Sequence, residues 1–151
     1  MPEPDFEWVK ARSECSPATV FQQIKLGVES DVKARNPTLA GENYSFRTSS
    51  RGGSITAYIQ ANGVYWSVTF RQTKDGISVH DENDKVMFDA TLALNNDGEC
   101  RLRLRGTEQE YQFWQLRKMA LEHLLFDDPW PEPVAAQVTH PSTPRPGSAT
   151  T

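Results

Sequence analysis

Long apolar runs are missing from this chain, and no stretch approaches the roughly 20 consecutive apolar residues that cross a bilayer as a helix. No membrane association is expected. Cysteine is nearly absent: only Cys15 and Cys100 occur, too far apart in sequence for a zinc knuckle or a redox pair. Two unbonded thiols in a reducing compartment are the expectation. The segment Met1 to Lys10 (MPEPDFEWVK) carries acids where a signal peptide needs basic residues followed by apolar ones, so a cytoplasmic location is expected. Positive charge is in deficit. A formal net charge of -4 gives no electrostatic reason to bind nucleic acid, whose backbone demands a basic surface.

The motifs of catalysis are missing as well. No G-x-S-x-G, P-loop, H-E-x-x-H or dinucleotide fingerprint occurs, which leaves hydrolase and nucleotide readings without positive support. The three histidines, His80, His123 and His140, show no recognised metal-ligand spacing and are expected to be solvated. No cofactor and no metal are expected.

What is present is the composition of one globular domain: 151 residues, 37% hydrophobic and 24% charged. The domain is expected over residues 1–126. Residues 127–151 hold six of the ten prolines and too little apolar surface to offset the entropy of ordering, so they are expected to form a flexible tail.

Alternation over residues 5–12 (DFEWVKAR) predicts a short strand. Ser16-Pro17 then offers an N-cap with proline at the first helical position. Val20, Phe21, Ile24, Val28 and Val32 recur every three or four residues up to the stop at Asn36-Pro37, predicting a helix over about 17–35. From Tyr44 the period becomes 2. Strands are predicted near 44–48, 54–60, 64–71, 76–80, 85–95 and 99–105, as a meander with one apolar and one polar face.

Turn chemistry sets the expected registers. Asn62-Gly63 as a two-residue turn pairs Ile59 with Trp66, Ala57 with Val68 and Ile55 with Phe70. Asn96-Asp97-Gly98 as a three-residue loop pairs Leu94 with Cys100, Leu92 with Leu102 and Ala90 with Leu104. Four-residue loops at 72–75 and 81–84 bring Phe70 to Ile77, Val68 to Val79, Val79 to Val86 and Ile77 to Phe88. The register of the first hairpin, across 49–53, stays open. Thr107 and Glu110 read as a capping box that opens a final helix running to about Phe126. The fold class is α+β: an antiparallel six- to seven-stranded meander sheet with a helix before it and a long helix after it, packed on the apolar face.

Two features invite chemistry. Arg101, Arg103 and Arg105 form a basic stripe with Arg47 and Arg71, but Arg105 falls opposite Asp89 and Arg103 opposite Thr91, so cross-strand pairing on a solvated face explains it. Arg117 is less ordinary. Its helical neighbours are Phe113, Trp114, Ala120 and Leu121, which places a charge in the middle of an apolar arc. Asp31 occupies a similar position on the first helix, beside Gly27 and Val28 with Arg35 one turn on. The readings are a buried or half-buried Arg117–Asp31 pair, an arginine that snorkels with its stem over the aromatics, and a guanidinium awaiting the carboxylate or phosphate of a ligand.

The order of elements over about residues 5–126, with the helix entry Ser16-Pro17-Ala18-Thr19-Val20-Phe21, resembles the helix-grip topology of the START and Bet v 1-like superfamily. That resemblance implies a curved sheet wrapped around the last helix with a hydrophobic pocket between them. On it rests the leading expectation: a non-catalytic pocket for a small amphipathic or hydrophobic ligand, walled by Trp66, Phe70, Phe88, Trp114 and Leu121, with Arg117 as polar anchor and Asp31 beside it. The alternative is a protein-interaction module, adaptor- or chaperone-like, without a small-molecule ligand. An enzyme ranks third, since no acid, base and nucleophile converge on the expected pocket.

Overall fold

A computed structural model describes residues 5–42, 44–61 and 63–127. The expected tail and His140 lie outside the described residues. The chain is α+β: a seven-stranded antiparallel sheet in the simple order β1 to β7, with α2 and α3 on one face. The strands are β1 (Arg47–Arg51), β2 (Ser54–Ala61), β3 (Val64–Gln72), β4 (Gly76–Asp81), β5 (Val86–Leu94), β6 (Cys100–Leu104) and β7 (Glu110–Tyr111). The helices are α1 (Trp8–Glu14), α2 (Pro17–Arg35) and α3 (Phe113–Phe126), with a 3-10 turn at Asn36–Leu39.

α2 begins where its cap requires. Ser16 Oγ accepts from the Thr19 amide, Pro17 follows, and Val20, Phe21, Ile24, Val28 and Val32 are all buried. They meet Leu116, Ala120, Leu121, Leu124 and Leu125 of α3 and the inward strand positions Ile55, Ala57, Ile59, Val68, Phe70, Ile77, Val79, Ala90 and Leu102 in one core. Period-2 strands bury alternate residues on the face that the helices cover. α2 and α3 run the same way, because Asp31 meets Arg117 while Arg35, one turn on, meets the Leu125 carbonyl.

The registers of β2 with β3 and of β5 with β6 are as the turns predict: Ile59 opposite Trp66, Leu92 opposite Leu102, Leu94 opposite Cys100. The two intervening registers differ. Phe70 pairs with Val79 and Val68 with Asp81; Val79 pairs with Phe88 and Ile77 with Ala90, and a bulge follows at Val79/His80. Phe70, Ile77 and Val79 still face the core, because a slip of two residues preserves faces and apolar matching cannot detect it, whereas Val86, expected opposite Val79, falls past the bulge opposite His80 and is 54% exposed. Gly76 marks the actual register: a Cβ there would run into the Ala90 carbonyl across the ladder.

Four expectations are corrected. Residues 5–12 do not form a strand; α1 forms there, with Ala11 N donating to Glu7 O, Cys15 N to Ala11 O and Ser13 Oγ to Val9 O. None of its residues is buried, so alternation there reported no buried face. The final helix does not open at Thr107. Thr107 turns back to the Leu104 carbonyl, Glu110 joins β7 and takes an ion pair with Arg103 at 2.8 Å, and the capping box forms instead between Gln112 and Gln115. The first strand lies at Arg47–Arg51, closed by a two-residue turn in which Gly52 has φ of +55°. Finally, the cysteines are not free: Cys15 and Cys100 form a disulfide with Cα atoms 5.4 Å apart across 85 residues of sequence. The α1–α2 junction and the start of β6 meet only in the fold, so spacing along the chain carried no sign of the bond.

Candidate functional site: the seam between α2 and α3

Arg117 and Asp31 find each other. Arg117 Nε donates to Asp31 Oδ2 at 2.8 Å, with the two side chains 20% and 33% exposed. The guanidinium lies flat over Gly27, where a Cβ would stand 2.5 Å from its Cζ. Glycine inside a helix costs roughly 0.5–1 kcal/mol relative to alanine, and here its bare backbone makes the space for the charge. Nε makes the one hydrogen bond of this guanidinium among the described residues, which leaves both terminal nitrogens able to donate.

One turn along α2, Arg35 closes the end of the seam. Its Nε donates to the Leu125 carbonyl at 2.7 Å, Nη1 reaches Thr38 Oγ1, and the guanidinium carbon stands 4.4 Å from the centre of the Phe126 ring. A cation at the carbonyl end of α3 and over an aromatic face is favourably placed on both counts. Between the two arginines runs a groove of about 410 Å³, lined by Asp31, Ala34, Arg35, Thr38, Trp114, Arg117, Lys118, Leu121, Glu122, Leu125 and Phe126. Trp114 is 51% exposed at its rim and Leu121 is buried at its floor.

Four of the residues singled out from sequence therefore converge: Asp31, Trp114, Arg117 and Leu121. The other three do not line this groove. Phe70 is fully buried in the core, and Trp66 and Phe88 pack half-buried against it from the sheet. Sequence reasoning missed Phe126, Lys118 and the role of Gly27. A glycine one helical turn before Asp31, on the stripe that meets the other helix, was the available signal.

No protein-family model, curated protein or solved structure matches this chain, so the geometry of the seam carries the functional reading by itself.

The polar face of the sheet holds mostly paired charges. Arg71 meets Asp84 at 2.9 Å, Arg101 meets Glu99 at 2.6 Å, and Arg105 reaches Asp89 at 2.8 Å and Asp75 at 3.4 Å. The hydrogen bond and charge of Asp89, then those of Asp75, hold Arg105 above the ordinary guanidinium range. His80 is not solvated as expected. Its side chain is 12% exposed, with Nε2 2.9 Å from Ser78 Oγ and Nδ1 3.4 Å from Asp84 Oδ1. This order of groups is that of a hydroxyl nucleophile, base and carboxylate, but Ser78 is 8% exposed on a strand paired on both sides. Among the described residues no cluster of histidine, cysteine and acids could hold a metal ion, and no helix is long and apolar enough to cross a membrane.

Proposed function

We propose that the chain is a non-catalytic binding domain whose α2–α3 groove takes a small amphipathic ligand. The observation that carries this reading is the convergence of Trp114, Leu121 and Phe126 with the Arg117 guanidinium in a concavity of about 410 Å³. Small-molecule sites are commonly of roughly 300–1,000 Å³, mostly apolar, with a few placed polar groups. An apolar body would lie along Leu121 and Leu125 against Trp114, and an anionic head would accept from the terminal nitrogens of Arg117 while Nε stays with Asp31. In this reading the ligand lies between the helices, and the START-like resemblance bears on the frame alone. The Cys15–Cys100 bond favours an oxidising compartment over the cytoplasm, since such bonds persist where thiols are not kept reduced.

Titration of the full chain with anilinonaphthalene sulfonate, an aromatic anion, tests the reading. Saturable binding is expected, weakened at least tenfold by Arg117→Met and by Trp114→Ala. Absence of saturation, or equal binding by both variants, would overturn the proposal.

A further inference from the structure

Among the described residues β1 lies at the edge of the sheet and pairs only with β2, through Arg47–Tyr58, Thr48–Ala57, Ser49–Thr56, Ser50–Ile55 and Arg51–Ser54. The two-residue turn at Gly52 and Gly53 makes Arg51 and Ser54 a hydrogen-bonded pair, and alternation along the ladder then bonds Ser49 and Arg47 to β2 as well. Thr48 and Ser50 consequently turn their N–H and C=O groups away from the sheet. Phe46 is next in that outward series. Asn36 meets it as a neighbouring strand would: the Phe46 amide donates to Asn36 Oδ1 at 2.8 Å, and Asn36 Nδ2 donates to the Phe46 carbonyl at 2.9 Å. One side-chain amide thus occupies the first rung of a ladder whose next two rungs meet no described residue.

The charges on this edge are also unmatched. Arg71, Arg101, Arg103 and Arg105 each hold a carboxylate, whereas Arg47 and Arg51 form no ion pair among the described residues and are exposed. Both project on the polar face, four residues apart. β1 has no proline and no bulge to blunt it, and the two devices it does carry, short length and the charges of Arg47 and Arg51, repel a cationic strand while leaving the edge open to an acidic one.

We propose that β1 is a docking edge for an extended acidic segment of a partner protein, which adds as an eighth antiparallel strand beside it. The added strand would exchange backbone bonds with Thr48 and Ser50, stop at Asn36, and set two acids four residues apart opposite Arg47 and Arg51. A second copy of this chain fits poorly. Pairing two β1 strands about Ser49 would place Arg47 against Arg51 twice, and like charges directly opposite are destabilising. This site is separate from the α2–α3 groove and does not depend on a ligand there.

The test uses the full chain and a fluorescein-labelled seven-residue peptide with glutamate at its second and sixth positions and threonine or valine elsewhere, read by anisotropy. Saturable binding is expected, at least tenfold weaker for the lysine counterpart. Arg47→Glu with Arg51→Glu should reverse that preference. Ser50→Pro removes an outward amide and no rung of the β1–β2 ladder, so it should weaken binding at least tenfold with an unchanged urea midpoint. Should that variant fail to fold, a peptide N-methylated on the amides that face β1 should lose binding by the same factor. No binding of the glutamate peptide, or binding indifferent to both Ser50→Pro and N-methylation, would overturn the proposal. So would self-association in sedimentation equilibrium that Ser50→Pro abolishes, since it would name a second copy as the occupant.

Discussion

Arg117–Asp31 in the helical seam and Arg105–Asp89 on the polar sheet face are the same bond by length, 2.8 Å from Nε to a carboxylate oxygen. Their surroundings differ. The seam pair is 20% and 33% exposed and lies on a glycine between two helices, whereas the sheet pair is 54% and 38% exposed with water on one side. The helical side also carries the covalent tie, because Cys100 shares the inward face of β6 with Leu102 and Cys15 leads directly into α2. Distance alone therefore says little about what a charge pair does. Burial decides how much it stabilises, and whether a groove opens beside it decides its use.

The largest expected effect on this contrast comes from the covalent tie. Closing a loop across 85 residues constrains the unfolded chain, by roughly 4–5 kcal/mol on a chain-entropy account. Cys15→Ala with Cys100→Ala should lower unfolding free energy by about 2–5 kcal/mol in urea. Equal midpoints for the oxidised and reduced wild type would contradict this.

Arg117→Met is next. A fully buried pair broken on one side costs about 3–5 kcal/mol, but the exposure of this one brings the expected loss to roughly 1 kcal/mol. Arg117→Met with Asp31→Leu should recover most of it. A loss of several kcal/mol would mean that the seam is drier than its geometry indicates.

Gly27→Ala sharpens the comparison further. Alanine favours the helix by about 0.5–1 kcal/mol, while its Cβ displaces the guanidinium and weakens an ion pair of similar worth. The urea midpoint should hardly move, yet anilinonaphthalene sulfonate binding should fall several-fold. Unchanged binding would show that the position of Arg117 over Gly27 is immaterial to the groove.

The smallest effect belongs to the sheet. Asp89 and then Asp75 raise the pKa of Arg105, so its contribution is fully present through the ordinary guanidinium range and is lost only as pH rises above it. It should therefore give no slope of stability between pH 6 and 9, about the range in which proteins are usually assayed. Asp89→Asn should leave the urea midpoint unmoved in 1 M salt, where the screening length falls to about 3 Å. A clear drop would place this pair in the same class as the seam.

Much of this was legible in the chain because local chemistry specifies it. Ser16-Pro17 starts α2, Asn36-Pro37 stops it, and glycine-containing turns set the registers of β2 with β3 and β5 with β6. A helical wheel singled out Arg117 and Asp31, each a charge on an apolar arc, and it was the structure that joined them. The sequence by itself thus determined the fold class and the buried stripe of α2, and it offered the pair at the centre of the seam as one reading among others. Only the tertiary structure decided the rest. A two-residue slip in β4 alters no side-chain face, so packing had to choose it. Thr107 to Glu110 satisfies the local rule for a helix start, yet Glu110 gains a strand partner and Arg103 by joining β7. Cys15 and Cys100 become neighbours through the whole meander, and Asn36 meets Phe46 across a turn of chain. Each is a non-local contact, and a pattern read along the chain has no term for proximity in space.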